Sequence, residues 1–453
     1  MRRILFFLAA FFSAAAFPAF AEYNRFGIPD SSEIRDGLVE TWFEAPFSAV
    51  RTSVPEVRRN STGTEFQIRA EESDDDFSIF VAPRTTISVE VTSDTGSYTE
   101  QHTVYPGDAS GSWMLVRNKR NGKPLRIRFY FAKNSEVYIQ FSPHGKTALC
   151  DLVVFGAYAA KGVPTGVPFS SFYTAPFEDV VRITADTIPW NFVRPDTDMY
   201  HSIKQMAAVI DGALPDIVYA DNAMYDGDGN LVRISDGKPF DRSDFPEGKY
   251  ILSSAGFVKW IADGLVMPLT GGRIRRAPLA VKTVEIKETG YQGVLSQVYD
   301  LYFSLNWIRN LASAVISVYT GKKYMFNESG VDVTAEPFSV GLTGRGAENT
   351  VTFIENNGYD VARIKPLLYV LAASDPGTFY FGAIRGTDRS VTPEVKAFNE
   401  CAAIFPYFEN DGGFSCRVFM NGKSLPLEEF CSLYSDSSVY LTKVRSSDRF
   451  FPE

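Results

Sequence analysis

The chain is poor in the residues that carry most nucleophilic and metal chemistry. Of 453 residues only three are histidine, His102, His144 and His201, and only four are cysteine, Cys150, Cys401, Cys416 and Cys431. No Cys-x-x-Cys pair occurs, so no structural zinc site and no metal or other cofactor is expected. The nearest approach to a calcium loop is Asp226, Asp228 and Asn230. It has Leu231 where the central glycine belongs and Gly237 where the closing glutamate belongs, so it reads as a turn.

Positive charge is scarce too. Lys and Arg total 45 against 54 Asp and Glu, a formal net charge of −9. Phosphate backbones need clustered cations, so nucleic acid is excluded as a partner. The one dense basic cluster, Arg273, Arg275 and Arg276, reads as a solvated turn. Long apolar runs are nearly absent. The exception opens the chain: Arg2 and Arg3, an apolar stretch from Ile4 to Ala16, then Ala19-Phe20-Ala21. That order predicts a signal peptide over residues 1–21, cleavage after Ala21, and export to the periplasm or the medium. No later stretch is long and apolar enough to cross a bilayer, so no integral membrane segment is expected in the mature chain. Export permits disulfides. Cys416 and Cys431 could pair, but the sequence does not choose among the pairings.

Aromatic residues are abundant: 37 Phe and 22 Tyr help bring the aromatic share to 14%, which favours strands. Over residues 64–156 short runs such as TEFQIRAEES, DFSIFVAPR, TTISVEVTS, PLRIRFYFA and SEVYIQFS are punctuated by SDTG, RNGK and SPHGK. They predict an all-β, sandwich-like domain over 22–160. Pro164, Pro168, Pro176, Pro189 and Pro195 mark 161–198 as an extended connector. One echo flanks the β region: TWFEAPFSAVR before it and SFYTAPFEDVVR after it. The simplest reading is two similar aromatic clamps at the domain edges.

From Met199 the period changes to that of a helix. Asp198 is placed to cap a helix burying Ile203, Met206, Ala207 and Ile210. MYDGDGNLVRISDGKPF predicts a hairpin. LSSAGFVKWIADGL predicts a buried helix with Ser253 as N-cap, Phe257, Trp260, Ile261 and Leu265 inward, and Gly264 at its end. LSQVYDLYFSLNWIRNLASAVISVY predicts further helix. From KPLLYVLAA onward strands are expected, with CAAIFPYFENDGGFSCRVFMNGK as a hairpin about Asp411-Gly412-Gly413.

The segment SSAGFVKWI is similar to the Asp-Cys-Ser-Gly-Phe-Val pattern of NlpC-type bacterial cell-wall cysteine endopeptidases, with Gly256 at the glycine. NECAAIFPYF and GGFSCRVF resemble that family's histidine strand and the strand after it. The resemblance covers roughly residues 199–445. It implies a papain-like domain over 199–453, and hence an α+β chain with a helix packed on an antiparallel sheet. The family needs a thiolate at a helix N-terminus, an imidazole that moves its proton, and a third group that orients the imidazole. The matched positions here are Ser254, Glu400 and Cys416. A carboxylate of ordinary pKa is a poor base for a serine hydroxyl at neutral pH. The expectation is an exported, non-catalytic relative that keeps a groove around Ser254, Gly256, Glu400 and Cys416. It would bind a peptide, a peptidoglycan-like ligand or a protein partner. Two alternatives stand beside it. One is an active hydrolase centred on Ser254, with His201 approaching from another side. The other is a structural or surface protein whose β-domain does the binding. Each residue also has a plain structural role: Ser254 in a helix cap, Glu400 on a strand surface, Cys401 and Cys416 as small buried side chains.

Overall fold

The computed structural model describes residues 27–93, 96–285, 295–296, 298–339, 351–389, 392 and 394–452. The expected signal peptide lies outside these residues. The chain is α+β, with an N-terminal antiparallel β region followed by helices and a second antiparallel sheet.

The first sheet has eight strands in the order β1 (Glu56–Arg59), β2 (Glu65–Glu72), β3 (Asp76–Pro83), β6 (Trp113–Asn118), β7 (Pro124–Phe129), β8 (Val137–His144), β9 (Thr147–Val154) and β10 (Ala157–Pro164). Between β3 and β6, the strands β4 (Thr85–Ser93) and β5 (Gly96–Val104) pair only with each other. Alternation sets the sheet's faces. Phe66 and Ile68 on β2, Phe77, Ile79 and Val81 on β3, and Val137, Ile139 and Phe141 on β8 are all buried.

Helical segments cover that buried face, and the repeated Ala-Pro-Phe motifs build them. In both, the proline precedes a helix and the phenylalanine opens it: α1 (Phe47–Thr52) and α2 (Phe177–Thr184). The Phe47 ring packs on Phe77, and the Phe177 ring packs on Phe129 and Phe131. A guanidinium holds the backbone of each motif. Arg117 Nη1 donates to the Ala45 carbonyl at 2.7 Å, with the cation over Phe77. Arg35 donates to the Tyr173 and Ala175 carbonyls at 2.8 Å each, between Trp113 and Phe129. The proline-rich stretch 161–198 is therefore no extended connector. It supplies the last strand, and Phe172 and Phe177, both fully buried, pack into the same core.

The second half begins with α3 (His201–Ala213), which buries Ile203, Met206, Ala207 and Ile210 as the spacing predicts. Its lead-in differs. Asp196, not Asp198, supplies the capping carboxylate, because a 3-10 turn over Thr197–Tyr200 precedes the helix. Next come β11 (Ile217–Tyr219), then the predicted hairpin of β12 (Ala223–Tyr225) and β13 (Leu231–Arg233), then β14 (Tyr250–Leu252), which runs parallel to β11. Two long helices follow, α4 (Ser254–Thr270) and α5 (Phe303–Thr320). A shorter helix, α6 (Lys365–Ser374), stands where strand was expected. Pro366 sits in its first turn, and Leu and Ala predominate after it, which favours helix once both sides are buried.

The second sheet has the order β15 (Tyr359–Asp360), β20 (Ser438–Arg445), β16 (Thr378–Asp388), β17 (Val395–Phe408), β18 (Phe414–Met420), β19 (Lys423–Pro426). The β17–β18 hairpin turns about Asp411-Gly412-Gly413 as expected. Helices α4 and α5 pack on each other and against β17. The two halves meet through a polar and aromatic seam. Tyr369 Oη donates to the Phe192 carbonyl at 2.7 Å, and Asn134 accepts from the Phe414 amide at 3.1 Å. The Phe155 ring reaches Tyr369 and Phe414.

Candidate functional site

Helix α4 starts as its sequence predicts. Ser253 is the N-cap: its Oγ accepts from the Gly256 amide at 3.1 Å and donates to the Ala223 carbonyl at 3.0 Å. Phe257, Trp260, Ile261 and Leu265 are all buried. The helix does not stop at Gly264. It continues to Thr270 and ends on left-handed Gly271. Gly264 instead admits the C-terminal segment. A Cβ there would lie 2.7 Å from Phe450, and the Phe451 amide donates to the Gly264 carbonyl. Gly256 has the same role at the front of the helix, where a Cβ would meet the Ala223 carbonyl oxygen. Gly256 is thus a packing residue under the hairpin and does not line the cavity.

That cavity lies at the N-terminus of α4 and measures about 550 Å³. Ser253, Ser254 and Ala255 contribute to it, together with Leu279, Phe303, Asn306 and Phe398. Its charged lining residues are Asp221, Asp300, Arg276 and Lys282, and Asn399 stands exposed at its mouth. Ser254 occupies the first helical position with 7% of its surface exposed, and its hydroxyl has no hydrogen-bond partner among the described residues. The first amides of a helix have no intrahelical acceptor, and the dipole adds a partial positive charge there.

The other matched positions lie apart. Glu400 is on β17 but accepts a 2.6 Å hydrogen bond from Tyr434 Oη and does not line the cavity. A bulge explains this. Ile384 pairs with Glu400 and Arg385 with Phe398, which leaves Asn399 of β17 without a partner on β16. Strict alternation back from Ile404 and Ala402 selects Glu400, whereas the extra residue puts Asn399 at the cavity. Cys416 is remote from both. It pairs with Pro406, six residues along β17 from Glu400, or about 20 Å at the rise of a strand. It lines a separate depression with Arg417 and Glu428. Ser254, Glu400 and Cys416 therefore do not converge.

No imidazole reaches the cavity. His102 is on the β4–β5 ribbon, His144 ends β8, and His201 is exposed at the start of α3. All four cysteines are free, so Cys416 and Cys431 form no disulfide. Burial pushes the Cys401 thiol up to about 12 and the Cys431 thiol up to about 11, and it raises Cys150 and Cys416 as well. Among the described residues no group of three or more His, Cys, Asp or Glu is placed to hold a metal ion.

Several lining residues are not evident from the family pattern. Asn306 had a signal: it is a polar residue in the apolar run FSLNWI, and it is buried. Its Oδ1 accepts from both the amide and the hydroxyl of Thr283 at 2.8 Å, and Arg309 donates to that hydroxyl at 3.3 Å. Arg276, from the cluster read as a solvated turn, is a clamp. It donates to the carbonyls of Ile234 (2.6 Å) and Ser235 (2.7 Å), holding the β12–β13 hairpin against the cavity wall.

The profile of a family described as a domain of unknown function (DUF8515) matches residues 24–192. That span ends after the second Ala-Pro-Phe motif and its helix, so the match takes in the first sheet with the helical segments that cover it. No curated protein and no solved structure matches the chain. Among the described residues no helix is long and apolar enough to cross a membrane.

Proposed function

We propose that the chain is an exported, non-catalytic binding protein whose second half derives from an endopeptidase of the NlpC type. It holds a peptide or peptidoglycan-like ligand in the cavity at the start of α4. The single observation that carries this reading is a serine at the first position of a buried helix, facing a cavity with no imidazole. The layout supports it. A buried helix packs on an antiparallel sheet, and the strand that resembles the family's histidine strand reaches the same cavity through Asn399. Export rests on the pattern of residues 1–21.

The chemistry follows from what remains. Without a base, the Ser254 hydroxyl stays protonated and is a weak nucleophile. Helix-end amides still attract a carbonyl or an anion, so binding can survive where turnover does not. Soluble peptidoglycan fragments incubated with the purified protein should remain intact by mass spectrometry, with the parent and with Ser254→Ala alike. Cleavage by the parent that disappears in Ser254→Ala would make the chain an enzyme and end this reading.

A further inference from the structure

The cavity's unpartnered buried polar groups all donate, and only the Ser254 hydroxyl can also accept. At the start of α4 the Ser254 and Ala255 amides have no acceptor among the described residues, and neither does the Ser254 hydroxyl. Asn306 adds a fourth donor. Its residue is 6% exposed, and Thr283 saturates Oδ1 with two donors, which fixes the amide's orientation. Nδ2 is left with no acceptor among the described residues, in a residue that lines the cavity. Arg309, held by Asp332 and Tyr440, donates to the Thr283 hydroxyl and keeps that hydroxyl pointed at Asn306.

Resting on the peptide-binding reading, we infer that this cavity takes the free carboxylate at a peptide's C-terminus rather than an internal stretch of chain. An ionised carboxylate only accepts hydrogen bonds, with two oxygens and about four lone-pair sites. An internal amide, or a C-terminal carboxamide, brings its own N–H donors to a place whose unpartnered buried groups are donors, save for the oxygen of the Ser254 hydroxyl. A buried donor left facing a donor loses its hydrogen bond outright. The four charged lining residues, Arg276 and Lys282 against Asp221 and Asp300, cancel in sum. Selectivity therefore comes from the buried donors and the positive end of α4, not from net charge. Lys282 makes no ion pair with a described residue and is exposed, so it can turn to the ligand.

The test uses N-acetyl-alanyl-alanine and its C-terminal amide at millimolar concentration. The full mature chain, isotope-labelled, is followed by NMR at the Ser254 and Ala255 amides and the Asn306 side-chain amide. The acid should shift these resonances and bind at least tenfold more tightly than the carboxamide. Asn306→Asp keeps an oxygen for Thr283 but replaces the donor with negative charge, so it should abolish the preference. Lys282→Ala, a change at an exposed position, should weaken acid binding several-fold without altering the melting temperature. Equal shifts from acid and amide would overturn the carboxylate assignment while leaving peptide binding intact. An acid preference that survives Asn306→Asp would overturn it too. No shift from either compound would overturn both the assignment and the peptide-binding reading.

Discussion

Ser254 concentrates the account because its position and its chemistry point different ways. The position is that of a presented nucleophile, and the chemistry is that of a hydroxyl without a base. The position can be tested without reference to any substrate. In Ser254→Cys the new thiol would sit in the field of the α4 N-terminus, which stabilises a thiolate. Its alkylation rate should titrate below the ordinary thiol value of about 8.5. The native thiols are a silent background, since burial raises all four. A thiol at 254 titrating at or above the ordinary value would mean that the helix end does not act on the cavity. Gly256 makes a second test at this scale. Its would-be Cβ meets backbone, the Ala223 carbonyl, which cannot swing aside as a side chain can. Gly256→Ala should therefore cost about 1–3 kcal/mol, the usual range for overpacking. Chemical denaturation reads it, and an unchanged midpoint would contradict the packing.

At the scale of elements, the two Ala-Pro-Phe motifs show how a short repeat becomes structure. Each proline fixes the chain before a helix, Phe177 enters the core while the half-buried Phe47 packs against it, and a guanidinium satisfies carbonyls that the turn leaves unpaired. Burial lowers Arg35 to about 10, so it remains charged at neutral pH with Asp30 beside it. Arg35→Met would leave the Tyr173 and Ala175 carbonyls without their donor, whereas Arg117→Met would leave those of Ala45 and Gly122. Arg35 is fully buried and Arg117 is not, so Arg35→Met should lower the urea midpoint more. The reverse order would contradict the weight given to burial here. The echo was legible in the sequence because two aromatics and Ala-Pro-Phe recur at the same offsets. The arginines that serve it were not, because each lies far from its motif along the chain. Alternation and the 3.6-residue period likewise located β2, β3, α3 and α4 well. They failed at α6, where an all-apolar run has no period to read, and at Asn399, where one bulged residue changes which side chain faces the cavity.

For the molecule as a whole, one continuous core joins the sheet of the first half to the helices and sheet of the second. The cavity is built entirely from the second half, between the β12–β13 hairpin, α4, α5 and β17. The DUF8515 match covers only the first half, so it bears on the scaffold that the second half packs against and not on the cavity itself. The class of the fold was legible from period and turn residues. The cavity was not, because its lining comes from six separate stretches between residues 221 and 399 that only the fold brings together. The most direct test of the account closes that cavity at its mouth. Asn399 is exposed, so Asn399→Trp can fill the opening without entering the core. Calorimetry with soluble peptidoglycan fragments should show binding to the parent and at least tenfold weaker binding to Asn399→Trp, at an unchanged melting temperature. Equal affinity for the two proteins, or no binding to the parent, would contradict the central claim that this cavity is where the protein works.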